Sequence, residues 1–448
     1  KELIMKDIQG LRIQKMAMGG AGLGFFENKA IFVPYTAIGD VVDVEITLEK
    51  KDHAFAKVLN YLSRGEGTQD PGCEAFGGDN ACGGCDWLMV DYPTQLAYKD
   101  SLVQELFRQY LPDTELYPIV PSEKPLHYRN KAFMPVGSEH YGIYARYSHD
   151  IVPHTACRNH PSIFDEIAMA AFELCRKAKV EPYNEIEHSG TLRHIGLRCN
   201  KDQSSILVIL VTRTARLPFS NTIIRGLSEK FPQISGIVQN INRDKGNVIL
   251  GGEEKLLFGQ DYLEDSLSDV KFRIHYRSFW QINSGSMENI LAAMRARLKP
   301  GVKLIDAYCG IGAIGLALSD TIGELTGIEE VSEAVQDARL NAEMNGVEHA
   351  KFIHGKAEQL LGQVMHDFTA DVLVLDPPRS GVPESSLWAI RAAGIKEILY
   401  LSCSPMSLAR DLKILLGEGK YKLESISSFD MFPNTWHIEC LAHLKLEK

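Results

Sequence analysis

Residues 303–315 read KLIDAYCGIGAIG: a short apolar run that stops at glycines spaced two and three apart. The run has the character of a buried strand, and Gly310, Gly312 and Gly315 make a turn in which a ligand can approach the backbone closely. A helical pattern, residues 316–319, follows. About 20 residues on, a second strand-like run, ELTGIEE, places Glu329 at its end, where a carboxylate can take both hydroxyls of a ribose. From about residue 266 the text alternates strand and helix, the signature of a doubly wound sheet. The same glycine spacing also fits a dinucleotide fingerprint, a weak signal on its own.

Downstream, three further strand-like runs each end on a reactive group. DVLVL (371–375) runs into Asp376-Pro377-Pro378-Arg379, ILYLSCSP carries Cys403, and MFPNTWHIECLAHL carries Glu439. Hydride transfer has no use for the Asp-Pro-Pro. A thiol and a carboxylate together are what methylation of uracil C5 requires. A thiolate adds to C6, C5 becomes enolate-like and attacks a methyl donor, and a base then removes the C5 proton. Apolar flanks draw Glu439 into surroundings that raise its pKa and strengthen it as a base; His437 is the rival. The prolines restrict the backbone in a way that suits holding a flat base, with Arg379 reaching a phosphate or base carbonyl. Cys309 reads as packing beneath the glycine turn, and Cys175, Cys199 and Cys440 as ordinary buried thiols.

The strings DAYCGIGAIGLAL, LDPPRSG, YLSCSP and MFPNTWHIE together resemble the RNA uracil-C5 methyltransferase family, and the resemblance extends over essentially the whole chain. It is nearest to the 23S rRNA enzymes that carry a TRAM domain and an iron–sulfur cluster. The resemblance implies S-adenosylmethionine as methyl donor, Cys403 as nucleophile and Glu439 as proton-abstracting base. It implies cofactor contacts from Gln281, Tyr308, Glu329 and Asp376, with Gly310 and Gly312 in the turn. Ala313 and Lys356 depart from the polar and acidic residues usual at or near those places.

The 448 residues suit several domains, and 45% apolar content is ordinary for a globular chain. The expected fold is multidomain α/β. Residues 1–62 form a small OB-like barrel resembling a TRAM module, residues 63–265 a central α+β domain, and residues 266–448 a class I Rossmann-like methyltransferase domain. Cys73, Cys82 and Cys85 are spaced C-x8-C-x2-C among glycines, with Cys157 far downstream. Four thiolates suit zinc or a [4Fe–4S] cluster. Spacing does not separate the two; the resemblance implies the cluster.

A net charge of −10 argues against a broadly basic nucleic-acid binder. Local basic stretches remain: HYRNKAFMPV with Arg129 and Lys131, YARY with Arg146, and Arg193, Arg198, Arg213 and Arg216. No apolar run approaches the roughly 18 residues of a membrane span, and KELIMKDIQG does not read as a secretory signal. A cytoplasmic monomer acting on RNA, most simply 23S rRNA, is the expectation. The alternatives are a tRNA uracil-C5 methyltransferase and a non-catalytic iron–sulfur RNA-binding protein. A cytosine-C5 enzyme would carry a second cysteine in the Asp-Pro motif, and an N6-type enzyme an aromatic residue after the prolines.

Overall fold

The computed structural model describes residues 7–154 and 156–447. The first five strands, Asp7–Met16, Gly22–Phe26, Lys29–Val33, Val41–Glu49 and His53–Ser63, close into a barrel in which the fifth lies between the third and the fourth. Glu27 and Asn28 both take left-handed φ angles, 47° and 63°, which a two-residue hairpin turn requires. Alternating residues, among them Ile13, Ile31, Val42 and Val44, fill the barrel interior.

A segment without long helices or strands, residues 64–91, leads into helix Tyr92–Tyr110. Asp91 caps that helix by accepting from the Thr94 amide at 2.8 Å. The central sheet has the order Glu253–Gly259, Ile234–Ile241, Ile206–Thr212, Leu192–Cys199, Lys131–Pro135. One face packs on helices Ser162–Lys177 and Ser220–Lys230.

The C-terminal sheet has seven strands, numbered here in chain order: β1 (Val302–Ala307), β2 (Ile322–Glu329), β3 (Ala350–His354), β4 (Val372–Leu375), β5 (Glu397–Ser402), β6 (Tyr421–Phe429) and β7 (Glu439–Leu446). Across the sheet they lie 3-2-1-4-5-7-6. β1 to β5 are parallel, and β7 is antiparallel to both β5 and β6. Helices cover both faces, so the central strands are apolar throughout. All four residues of β4 are buried, each such side chain contributing roughly 1.5–3 kcal/mol. The helix after the glycine turn spans Ala313–Ala317, starting three residues earlier than the sequence pattern suggested. Because β7 runs against its neighbours, its first residue lies at the edge where the parallel strands end. Among the described residues, no helix is long and apolar enough to cross a membrane.

Candidate active site

The carboxyl edge of the parallel sheet gathers most of the residues singled out from sequence. After β1 the chain turns sharply: Tyr308 takes φ 66°, Gly310 54° and Gly312 79°. Asp306, buried near the end of β1, accepts from the Gly315 amide at 2.9 Å and so pins the glycine turn. Its other carboxylate oxygen has no partner. Burial, with Asp376 and Glu329 nearby, pushes it up to about 7. Glu329, at the end of β2, accepts from Gly310 N at 3.0 Å and Val331 N at 2.8 Å. Both oxygens are thereby oriented, with lone pairs left for another donor. The Tyr308 hydroxyl donates to Glu358 at 3.0 Å. Glu358 was missed in the sequence; it supplies an acidic group two residues beyond Lys356. Gln281 lies before helix Ser284–Arg295, its carbonyl accepting from Asn130 Nδ2 at 2.8 Å.

Asp376 follows β4 and Cys403 follows β5; both are half-buried. Burial pushes Asp376 up to about 7. It also pushes Cys403 up to about 11, with Glu439 adding to the rise and Arg379 opposing it. Glu439, the first residue of β7, is buried at 3% exposure. Burial first, then Asp376, holds its carboxyl well above the ordinary range, and Arg379 opposes this. Arg379 itself is exposed. The thiol, the two carboxyls and the guanidinium therefore form one electrostatic unit. His437 stands beside it, its ring 4.5 Å from that of Trp436. Burial, then the cations Arg379, Lys99, Arg129 and Arg146, push it down to about 4. A neutral imidazole so weakly basic is a poorer proton acceptor than a carboxylate of raised pKa.

The loop that leads to Glu439 rests on a fully buried ion pair that sequence reading did not find. Lys99 Nζ lies 2.6 Å from Asp430 Oδ1 and also donates to the carbonyls of Phe432 (3.0 Å) and His437 (2.9 Å).

Away from the sheet edge, the four cysteines converge. Cys157 is an electrostatic neighbour of Cys73, Cys82 and Cys85. Gly84 N donates to Cys82 Sγ at 3.4 Å, Asn159 N to Cys157 Sγ at 3.4 Å, and Asn159 Nδ2 to Cys85 Sγ at 3.0 Å. Burial pushes Cys82 up to about 11. Burial works against Cys157 too, yet hydrogen bonds from His154 and His160 bring it down to about 5. Among the described residues, no three of these sulfurs lie within 4.8 Å of one another. The N–H donors aimed at sulfur suit thiolates that hold a metal centre.

The basic residues divide. Arg193 and Arg198 are buried: Arg193 donates to the carbonyls of Asn242 and Asp244, and Arg198 to those of His275, Tyr276 and Ser278. They cross-link the central sheet, because every residue of Leu192–Cys199 is enclosed, and the expectation that they add to an RNA-facing patch is corrected. Lys131 opens its strand opposite Arg198. Burial, then Arg198 and Arg129, push it down to about 8. Arg129 precedes that strand and faces Cys85 and Cys157. Arg146 pairs with Asp86 and lies over the Tyr35 ring at 5.4 Å.

A sheet ordered 3-2-1-4-5-7-6, with a glycine turn after β1 and an acidic residue ending β2, defines a Rossmann-like methyltransferase. The profile of the tRNA (Uracil-5-)-methyltransferase family matches residues 237–447. A Halalkalibacterium halodurans protein described as an uncharacterized RNA methyltransferase is 35% identical, over 98% of this chain and 97% of its own. A Listeria innocua protein of the same description is 37% identical over the same shares. The structure of Pyrococcus abyssi tRNA (uracil-54, C5)-methyltransferase, solved with S-adenosyl-L-homocysteine, superposes with a TM-score of 0.79. It is 25% identical, covering 98% of this chain and 100% of that one. The chain belongs to the RNA (uracil-5-)-methyltransferase family.

Proposed function

We propose that the protein methylates C5 of a specific uridine in 23S rRNA through a covalent bond between Cys403 and C6. The observation that carries this reading is the meeting of Cys403 and Glu439 at one sheet edge, beside Asp376 and Arg379. A uridine stacked in RNA offers neither C5 nor C6 to this edge, so the base enters flipped out. Arg379 faces the base or its phosphate, and its charge favours the Cys403 thiolate. The thiolate adds to C6 and the C5=C6 electron pair moves toward O4. S-adenosylmethionine, when bound, supplies the methyl group that C5 takes. Glu329 and the Gly310–Gly312 turn suit its ribose and adenosine, and Tyr308, Gln281 and Asp376 complete the pocket. Once sulfur is bonded to C6, one of two repelling negative charges is gone, which favours ionised Glu439. Glu439 then takes the C5 proton, C5=C6 re-forms and Cys403 leaves as thiolate.

Cys73, Cys82, Cys85 and Cys157 would hold a [4Fe–4S] cluster, a reading supported by their convergence and by the N–H donors aimed at their sulfurs. Arg129 faces Cys85 and Cys157 and, with Arg146, also acts on His437; together with Lys131 they would lend positive charge to RNA contact. The barrel, with Phe25, Phe55 and Tyr61 partly exposed and Arg64 4.2 Å over the Tyr61 ring, adds a stacking surface for RNA.

A second reading, tRNA as the substrate, is favoured by the full-length likeness to the Pyrococcus abyssi enzyme. Mass mapping of 5-methyluridine in rRNA and tRNA from a deletion strain decides between them. Loss from 23S rRNA supports the first reading and loss from tRNA the second. Loss from neither rejects both.

A further inference from the structure

Residues 430–438 form no helix or strand, yet most are buried, and they end at Glu439. Asn434 lies at the middle of this loop with φ 65° and 3% exposure. Its carbonyl accepts from the amides of Asp86 (2.8 Å) and Trp87 (3.0 Å), the two residues after Cys85. Trp436 N donates to Asp86 Oδ2 at 3.2 Å. On its other side, Asn434 Nδ2 donates to Asn159 Oδ1 at 2.9 Å. Asn159 is also 3% exposed. Its Nδ2 donates to Cys85 Sγ at 3.0 Å, and its backbone N to Cys157 Sγ at 3.4 Å. One buried amide thus has its nitrogen committed to a cysteine sulfur and its oxygen to the loop that delivers Glu439.

We propose that Asn159 is a positioning residue that couples occupancy of the four-cysteine site to the placement of loop 430–438 and of Glu439. The inference rests on the reading that the four thiolates hold a metal centre. When the sulfurs are drawn together around a bound centre, Cys85 and Cys157 fix both ends of Asn159, and Asn159 fixes Asn434. When the centre is lost, the sulfurs are free to separate and this tether slackens, although the bonds of Asn434 to the Asp86 and Trp87 amides, to Gln95 and to the Pro125 carbonyl remain. Methylation then stalls at the step that needs Glu439 rather than at the step that needs Cys403.

The test is amide hydrogen exchange of residues 430–438 in the full chain, as purified and after removal of the metal centre. Wild type, Asn159→Asp and Asn434→Gly are compared, with metal content and visible absorbance measured on each. Glycine tolerates the left-handed φ at 434, and Asn434 touches no sulfur, so this variant keeps its centre. In wild type, removal is expected to raise loop exchange by about tenfold or more, as for a segment whose local opening has become cheaper. In Asn434→Gly, exchange is already raised in the loaded protein and does not respond to removal. Asn159→Asp keeps the acceptor facing Asn434 but loses the N–H to sulfur, so the reduction potential of the centre falls and loaded-state loop exchange rises part of the way toward that of Asn434→Gly. With 5-fluorouracil-free substrate RNA, Asn434→Gly lowers kcat with KM unchanged and accumulates methylated covalent adduct. Equal loop exchange in wild type with and without the centre overturns the coupling, and so does an Asn434→Gly loop that responds as wild type does. If the chain carries zinc and no iron, the cluster assignment fails on metal analysis. The same exchange comparison between apo and zinc-loaded protein then judges the coupling separately.

Discussion

Cys403 and Glu439 each stand one residue beyond the final ladder pair of β5 and β7, Ser402 with Cys440. Antiparallel register therefore sets the thiol and the carboxyl opposite one another where the paired strands part. Burial raises both pKa values. Burial favours the neutral form of both groups, and Arg379 favours their ionised forms.

Replacing Cys403 with alanine should abolish both methyl transfer and the SDS-stable adduct with 5-fluorouracil-containing RNA. Binding of S-adenosylmethionine, measured by calorimetry, should persist, because Glu329 and the glycine turn are untouched. Near-normal turnover in this variant would exclude the covalent route.

Glu439→Gln keeps the shape of the side chain and removes its ability to take a proton. Turnover should fall ~10²–10⁴-fold, the usual contribution of a general base, while the adduct accumulates with its methyl group already transferred. His437→Ala should change turnover far less, since its ring is held neutral and weakly basic. An adduct trapped by the histidine variant and not by Glu439→Gln would reassign the base.

The pH dependence has a definite sign. The Cys403 thiol is raised to about 11, so its reactive thiolate is the minor form at neutral pH and grows as pH rises. Adduct formation should climb roughly tenfold per pH unit below that value. The raised Glu439 must also be ionised to accept a proton, so it moves the rate in the same direction. Arg379 lowers both groups; Arg379→Ala should displace the rate profile toward higher pH. A profile that falls from neutral to alkaline pH, with the protein still folded, would contradict the assignment.

Lys99 and Asp430 form a pair with neither side chain exposed. Lys99→Met leaves Asp430 buried without its partner, which costs about 3–5 kcal/mol in comparable cases. The denaturation midpoint should drop accordingly. The loop 430–438 loses two carbonyl contacts in the same variant, so the covalent intermediate should also persist longer.

Serine at Cys85 removes one of the four proposed ligands. Wild-type protein purified anaerobically should be brown, with about four irons per chain and broad absorbance near 400 nm, and Cys85→Ser should lose both. Colourless wild-type protein with one zinc would replace the cluster by a zinc centre.

The methyltransferase sheet was legible because its signals are local. Apolar runs end on glycines, on Asp-Pro-Pro and on Ser-Cys-Ser, and a buried parallel strand cannot be written otherwise in the chain. Tertiary contact decided what side chains of ambiguous role do. Arg193 and Arg198 read as cations for RNA, but their strand is enclosed on both faces, and a buried guanidinium must spend its donors on carbonyls.

By itself, then, the sequence determined which reactive groups exist, at which strand ends they sit, and which family's chemistry they match. The pairing of Cys403 with Glu439 is a matter of register between β5 and β7. The Lys99–Asp430 pair joins residues more than three hundred positions apart, and the Asn159–Asn434 bond joins two asparagines from separate parts of the chain. No local pattern encodes such contacts, because each exists only when packing removes water from both partners and brings distant donors and acceptors within reach of one another.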